Sequence, residues 1–278
     1  MSKRRKRPAP WHPRVWGAWI LVAFGWLLAR LPLRTLFEVG AFFGALAYRL
    51  GGSRRHITRV HVALCFPELS GAAQDALVRE VFRHTGVALV ELLLAWLDPK
   101  RPIAQRCTIH GLEHLRAAAA QGHGVLLVGA HFSCIDIMAQ PLAQAVDLDV
   151  VYRRNRNPVW EWLQVRGRRH YFDGVIERDD VRGMLRRLEA GRIIWYAADQ
   201  DYGRRHSVFA PFFGIPAATI NATARLARVN DSPVLFMYQH RDLDSLTWEA
   251  HIGPPLDGYP SGDDVADATR INALIEAA

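Results

Sequence analysis

His131 and Asp136 stand five positions apart, directly after a short apolar run bounded by glycine, Gly124-Val-Leu-Leu-Val-Gly-Ala130. An imidazole held by a carboxylate can take a proton from a hydroxyl, the work of a general base. On a continuous helix a five-residue step would separate the two side chains by about 140°. A histidine in the turn before a helix, with the aspartate in its first turn, closes that gap, so the spacing predicts a His131–Asp136 dyad. The competing reading is a capping or core histidine beside an aspartate that favours a helix start. Cys134, in the same apolar stretch, reads as a small core residue rather than a nucleophile. No second ligand pair stands near His131, Cys134 and Asp136 at metal spacing, so neither a metal nor a cofactor is expected.

Two further polar clusters follow apolar runs. Tyr152-Arg-Arg-Asn-Arg-Asn-Pro158 supplies Arg153 and Asn157 and leads on to Arg166, Arg168 and Arg169. Asp199-Gln-Asp-Tyr-Gly-Arg-Arg205 supplies Asp199, Asp201 and Gly203. Ligands gather at the carboxyl ends of strands in open α/β sheets, so three strand ends carrying His/Asp, Arg/Asn and Asp/Gln/Asp suit one site. The bland alternative for each single arginine is a solvated face.

The elements that must position these clusters alternate. Strands are expected at 124–130, 149–152, 192–197 and 233–240, and helices at 135–146, 158–168, 179–190, 217–230 and 265–277. Residues 53–110 read as helices, including an amphipathic helix or helix pair over 72–97 ended by Pro99 and Pro102. The pattern is that of an α/β fold with a mainly parallel sheet flanked by helices.

The N-terminus differs. Lys3 to Arg7 form a basic run, followed by Val15 to Ala29 without a charge and by a second apolar stretch, Leu36 to Leu50. Trp11, Trp16, Trp19 and Trp26 suit an interfacial belt. A bilayer core needs about 20 helical residues, so either stretch alone is marginal as a span. The expectation is a membrane anchor in residues 1–52, ahead of a catalytic domain over 53–278. Arginines on both sides of the first run give no clean orientation, and a monotopic or hairpin arrangement satisfies them better.

Half of the 278 residues are hydrophobic and 22% are charged, which excludes disorder. The net charge of +8 favours acidic partners: an anionic membrane surface, a phosphorylated substrate or an acidic carrier protein. Nucleic acid is the competing class, but no recognisable module supports it. Three widely spaced cysteines, Cys65, Cys107 and Cys134, form no disulfide pattern and indicate a reducing compartment.

The H-x4-D motif after a strand resembles the glycerolipid acyltransferase superfamily. Tyr152-Arg-Arg-Asn-x-Asn-Pro158, Trp195-Tyr-Ala-Ala-Asp-Gln-Asp-Tyr-Gly203 and Ser207-Val-Phe-Ala-Pro-Phe-Phe-Gly214 resemble the late acyltransferases of lipid A biosynthesis. Phe66-Pro67-Glu68 and the apolar N-terminus extend the similarity over most of the chain. The resemblance implies a glycerol-3-phosphate acyltransferase-like fold in the cell inner membrane, with the catalytic domain on the cytoplasmic side. It implies transfer of an acyl chain from acyl carrier protein, or a coenzyme A thioester, to a hydroxyl of a phosphorylated lipid A precursor. By position His131 would be the general base, Arg168 the basic residue of the second motif, and Asp199 or Asp201 the acid of the third. Two features depart from the family: Asp136 stands where glutamate is usual, and the chain ends at Ala278 inside the last expected helix, which predicts a shortened C-terminus. The alternatives are acylation of a lysophospholipid or aminolipid, and a catalytically silent membrane adaptor of the same fold.

Overall fold

The apolar N-terminus folds as two helices split by a proline turn. In a computed structural model, which describes residues 9–200, 203 and 207–278, α1 spans Trp16–Leu28 and α2 spans Leu33–Leu50, with Pro32 at its N-cap. The 13 residues of α1 reach only about 20 Å, short of the ~30 Å hydrocarbon core of a bilayer. No helix among the described residues is long and apolar enough to cross a membrane, so the expected anchor does not take the form of a spanning helix. The basic run at residues 3–7 lies outside the described residues.

After α3 (Gly52–Cys65), Ser70 caps the 27-residue α4 (Gly71–Leu97), accepting a hydrogen bond from the Ala73 amide. The stretch read as a helix or a helix pair is therefore one helix. α2 lies against it with almost no spacing, because Gly40 and Gly44 face Gly86. A Cβ on Gly86 would collide with the Gly40 carbonyl and the Gly44 backbone. Leu36 and Phe37 of α2 join Val87, Val90 and Leu94 of α4 in the main core.

The rest alternates: β1 (Cys107–His110), α5 (Leu112–Ala119), β2 (Val125–Gly129), α6 (Ala139–Ala145), β3 (Leu148–Tyr152), α7 (Pro158–Arg168), β4 (Val175–Glu177), α8 (Val181–Glu189) and β5 (Ile193–Ala197). The hairpin β6 (Ser207–Phe212) and β7 (Ile215–Ile220) follows, then α9 (Ala222–Asn230), β8 (Val234–Asp242), β9 (Thr247–Pro255) and α10 (Asp264–Glu276). Seven strands form one sheet in the order β1-β9-β8-β2-β5-β3-β4. All neighbours are parallel except β8 and β9. β2 and β5 are buried along their whole length, as central parallel strands must be when helices cover both faces.

Three expectations need correction. Residues 107–110, assigned to the helical region, form the edge strand β1 on β9. The helix expected over 217–230 starts at Ala222, because Ile215–Ile220 pairs back onto β6. Phe213 and Gly214, both with positive φ, make the tight turn that joins the two strands. The helix expected over 135–146 begins only at Ala139, and residues 133–138 form turns. β9 carried no expectation at all.

Candidate active site

β2 and β5 are parallel neighbours with Gly129 opposite Ala197, so residues two positions past each strand end leave the sheet at the same level. Those residues are His131 and Asp199. One carboxylate oxygen of Asp199 lies 2.6 Å from His131 Nδ1, and the other accepts the His131 backbone N–H at 2.8 Å. A carboxylate gripping both backbone and ring fixes the imidazole orientation. With the Nδ1 proton directed at Asp199, Nε2 is left as the acceptor, and the Gln200 side-chain amide approaches it at 3.2 Å. Burial opposes ionisation of Asp199, but the hydrogen bonds and charge of His131 outweigh it and hold the carboxyl below its usual range. The His131 side chain is 47% exposed and can therefore meet a substrate.

The expected His131–Asp136 pairing is not formed. Asp136 Oδ1 accepts from Trp96 Nε1 at 3.2 Å and from Arg168 Nε and Nη2 at 3.2 and 3.1 Å. The physical reason is the turn at residues 133–138: with no helix beginning at His131, Asp136 points toward α4 and α7 while Asp199 occupies Nδ1. His131, Asp136 and Arg168 nevertheless line one cavity of about 240 Å³, together with Tyr152, Arg153, Gln164, Arg178, Trp195 and Gln200. Trp195 Nε1 and Gln164 Oε1 are buried and have no hydrogen-bond partner among the described residues.

Among the other expected binding residues, Arg153 and Arg168 line the cavity. Asn157 does not; its side chain caps α7, accepting from the Val159 amide at 2.9 Å. Gly203 is exposed with φ of 87°, and Asp201 lies outside the described residues. Burial, reinforced by the charge of Glu91, pushes the Cys134 thiol up to about 12, which removes a thiolate nucleophile from consideration. Trp96, Gln164 and Gln200 were not singled out as candidates. Gln200 adjoins Asp199, but nothing in the spacing marks Trp96 or Gln164 as lining residues.

A family model described as bacterial lipid A biosynthesis acyltransferase matches residues 4–278. The chain belongs to that family. It is an acyltransferase. It is 35% identical over 266 residues to the lipid A biosynthesis palmitoleoyltransferase of Escherichia coli K12, covering 95% of this chain and 87% of that protein. The lipid A biosynthesis lauroyltransferase of the same organism is equally similar, at 35% with the same coverage. The lipid A biosynthesis myristoyltransferase of E. coli K12 is 29% identical over 267 residues, 95% of this chain and 83% of that protein.

In this acyltransferase the turn that carries His131 is braced from beneath. Arg241 on β8 donates to Ser133 Oγ at 3.2 Å and to Glu91 on α4. Trp248 Nε1 donates to the other Glu91 oxygen at 2.7 Å. The Arg241 and Glu91 side chains are each 1% exposed. A buried pair of this kind is costly to break, because each charge would be left without its partner. The network therefore ties the segment after His131 to α4 and to the antiparallel pair β8–β9.

Proposed function

We propose that this acyltransferase moves a fatty acyl chain from a thioester, on acyl carrier protein or coenzyme A, to a hydroxyl of a phosphorylated lipid A precursor. The observation that carries the reading is the clamp of Asp199 on both the amide and the ring of His131. It leaves Nε2 to accept the hydroxyl proton as the acceptor oxygen attacks the thioester carbonyl. The C–S bond then breaks, and the thiolate takes back the proton from the imidazolium. Asp199 keeps the ring in one tautomer and stabilises its charged form. The Arg168 guanidinium is a donor on the cavity wall for the developing oxyanion.

The substrate shape finds support beside the cavity. Arg178 and Tyr196 also line an adjoining, largely apolar space of about 570 Å³ between α8 and α9, bounded by Met184, Leu185 and Leu226. An acyl chain can run there while its carbonyl stays near His131. Arg153, Arg168 and Arg178 suit the phosphates of the acceptor, and the net charge of +8 suits an acidic carrier protein.

The reading includes a seat on the cytoplasmic face of the inner membrane. α1 exposes Trp16, Ile20, Leu21, Phe24 and Leu27, and α2 exposes Phe42, Phe43 and Leu50. An apolar surface on helices of which none is both long and apolar enough to span fits a monotopic anchor lying within one leaflet. α1 also packs on α7 through Val22, Val159 and Leu163, so the apolar surface adjoins the helix that carries Arg168.

The test is an acyl-transfer assay with the purified full chain in detergent, offering acyl carrier protein and coenzyme A thioesters separately. Lipid A precursor, lysophospholipid and buffer alone serve as acceptors. The expected result is transfer to the precursor, lowered by about 10²–10⁴-fold in His131→Ala. Undiminished transfer by His131→Ala, or transfer to lysophospholipid alone, overturns the reading.

A further inference from the structure

Strand register gathers a second group of titratable side chains far from Nε2 of His131 in sequence and function. β9 buries Trp248, Ala250 and Ile252 and turns Glu249 and His251 outward. β1 sets His110 opposite His251, and β8 sets His240 opposite Glu249. The Nε2 atoms of His110, His251 and His240 lie 3.3, 3.5 and 3.8 Å from the same oxygen of Glu249. The donor atoms of His110, Glu249 and His251 all fall within 4.8 Å of one another.

Hydrogen bonding does not account for this convergence. A carboxylate oxygen offers two lone pairs, too few for three imidazoles, and all three contacts exceed the usual N–H···O range. A central divalent cation does account for it. Imidazole nitrogen and carboxylate oxygen bind Zn²⁺ at about 2.0–2.2 Å, which in a tetrahedron sets donors about 3.3 Å apart. The observed spacings begin at that value and are slightly wider. The rings of His110 and His251 are stacked within 16° of parallel, and both are accessible enough to turn their nitrogens toward a common point.

We infer that His110, Glu249 and His251, with His240 as fourth donor, form a surface site for a borderline transition-metal dication such as Zn²⁺. Imidazole-rich donors disfavour Mg²⁺ and Ca²⁺. The site lies on the solvent side of β8, opposite the face on which Arg241 holds Ser133. Its ligands come from three strands, so a bound ion would cross-link the edge strand β1 to the sheet. It takes no part in acyl transfer.

The full chain, purified in detergent without a histidine tag and stripped with a chelator, is titrated with Zn²⁺ against a chromophoric chelator and with Co²⁺ by visible absorption. One tightly bound ion per chain is expected, with a Co²⁺ spectrum of low coordination number. His110→Ala and His251→Ala each weaken binding by at least about tenfold. Glu249→Gln, which keeps the shape, weakens it while leaving the metal-free melting temperature unchanged. Equal binding by the wild type and by the His110→Ala/His251→Ala double variant overturns the site. So does a preference for Mg²⁺.

Discussion

The two ends of the parallel sheet use the same residue type for opposite purposes. At the amino end, Asp149 is wholly buried and every contact it makes is structural: Arg187 and Arg192 donate to it, as does the Gly174 amide at 2.9 Å. At the carboxyl end, Asp199 grips a half-exposed imidazole beside a cavity. One aspartate has spent its lone pairs on permanently charged arginines. The other spends them on a group that can gain and lose a proton. The difference teaches that the partner, rather than the carboxylate, separates a brace from a group poised for proton transfer.

The largest effect expected from breaking this contrast comes at the carboxyl end. Asp199→Asn should lower kcat by about 10²–10⁴-fold with little change in melting temperature, because the ring loses its tautomer and orientation. Asp136→Asn, which releases Arg168 and Trp96, should raise KM for the phosphorylated acceptor more than it lowers kcat. Steady-state kinetics on both variants decide the matter, and the reverse ordering would return the dyad to Asp136.

The amino end should answer in stability instead. Burial alone would raise the Asp149 pKa, but hydrogen bonds and charge from Arg187 and Arg192 overcome it and the net shift is downward. A carboxyl depressed in the folded state adds stability that is present above its unfolded pKa of about 4 and lost as pH falls through the lower folded value. Asp149→Asn should therefore cost about 2 kcal/mol near neutral pH, the arginines being partly exposed, and flatten the acid limb of the stability curve. Urea unfolding from pH 3 to 7 measures both effects. A large loss of kcat with unchanged stability would erase the contrast between the ends.

The smallest effect lies between them, on α8, which carries Arg187 toward Asp149 and Met184 toward the apolar space beside the cavity. Met184→Trp should shorten that space. Longer acyl chains should then lose about fourfold in kcat/KM for each excluded methylene, with shorter donors unaffected. A uniform loss across chain lengths would assign Met184 to packing alone.

What the sequence made legible follows from what leaves a local trace. β2, β3, β5 and α7 are each one apolar run or one capped helix, and their bounds match the expectation within a residue or two. His131 and Arg168 could be picked out because each sits beside such an element. The partner of His131 could not be chosen from spacing. Asp136 is five residues away and Asp199 is 68, yet strand order sets β5, and not the next strand in sequence, beside β2. The His110–Glu249–His251 group left even less trace, since its members alternate with core residues along strands and meet only through register. The second half of β7, residues 217–220, reads as helix because Ala217 and Ala218 favour helix locally, while the Phe213–Gly214 turn overrides them.

The contact between Gly40, Gly44 and Gly86 bears on what the first fifty residues are. With backbone resting on backbone there, Leu36 and Phe37 serve as wall to Val87, Val90 and Leu94. A keel is a fair likeness: the part that meets the outside medium also stiffens the hull. Cutting it away would not free a water-soluble catalyst. It would strip α4 of its cover and with it the footing of Glu91, on which the turn bearing His131 stands.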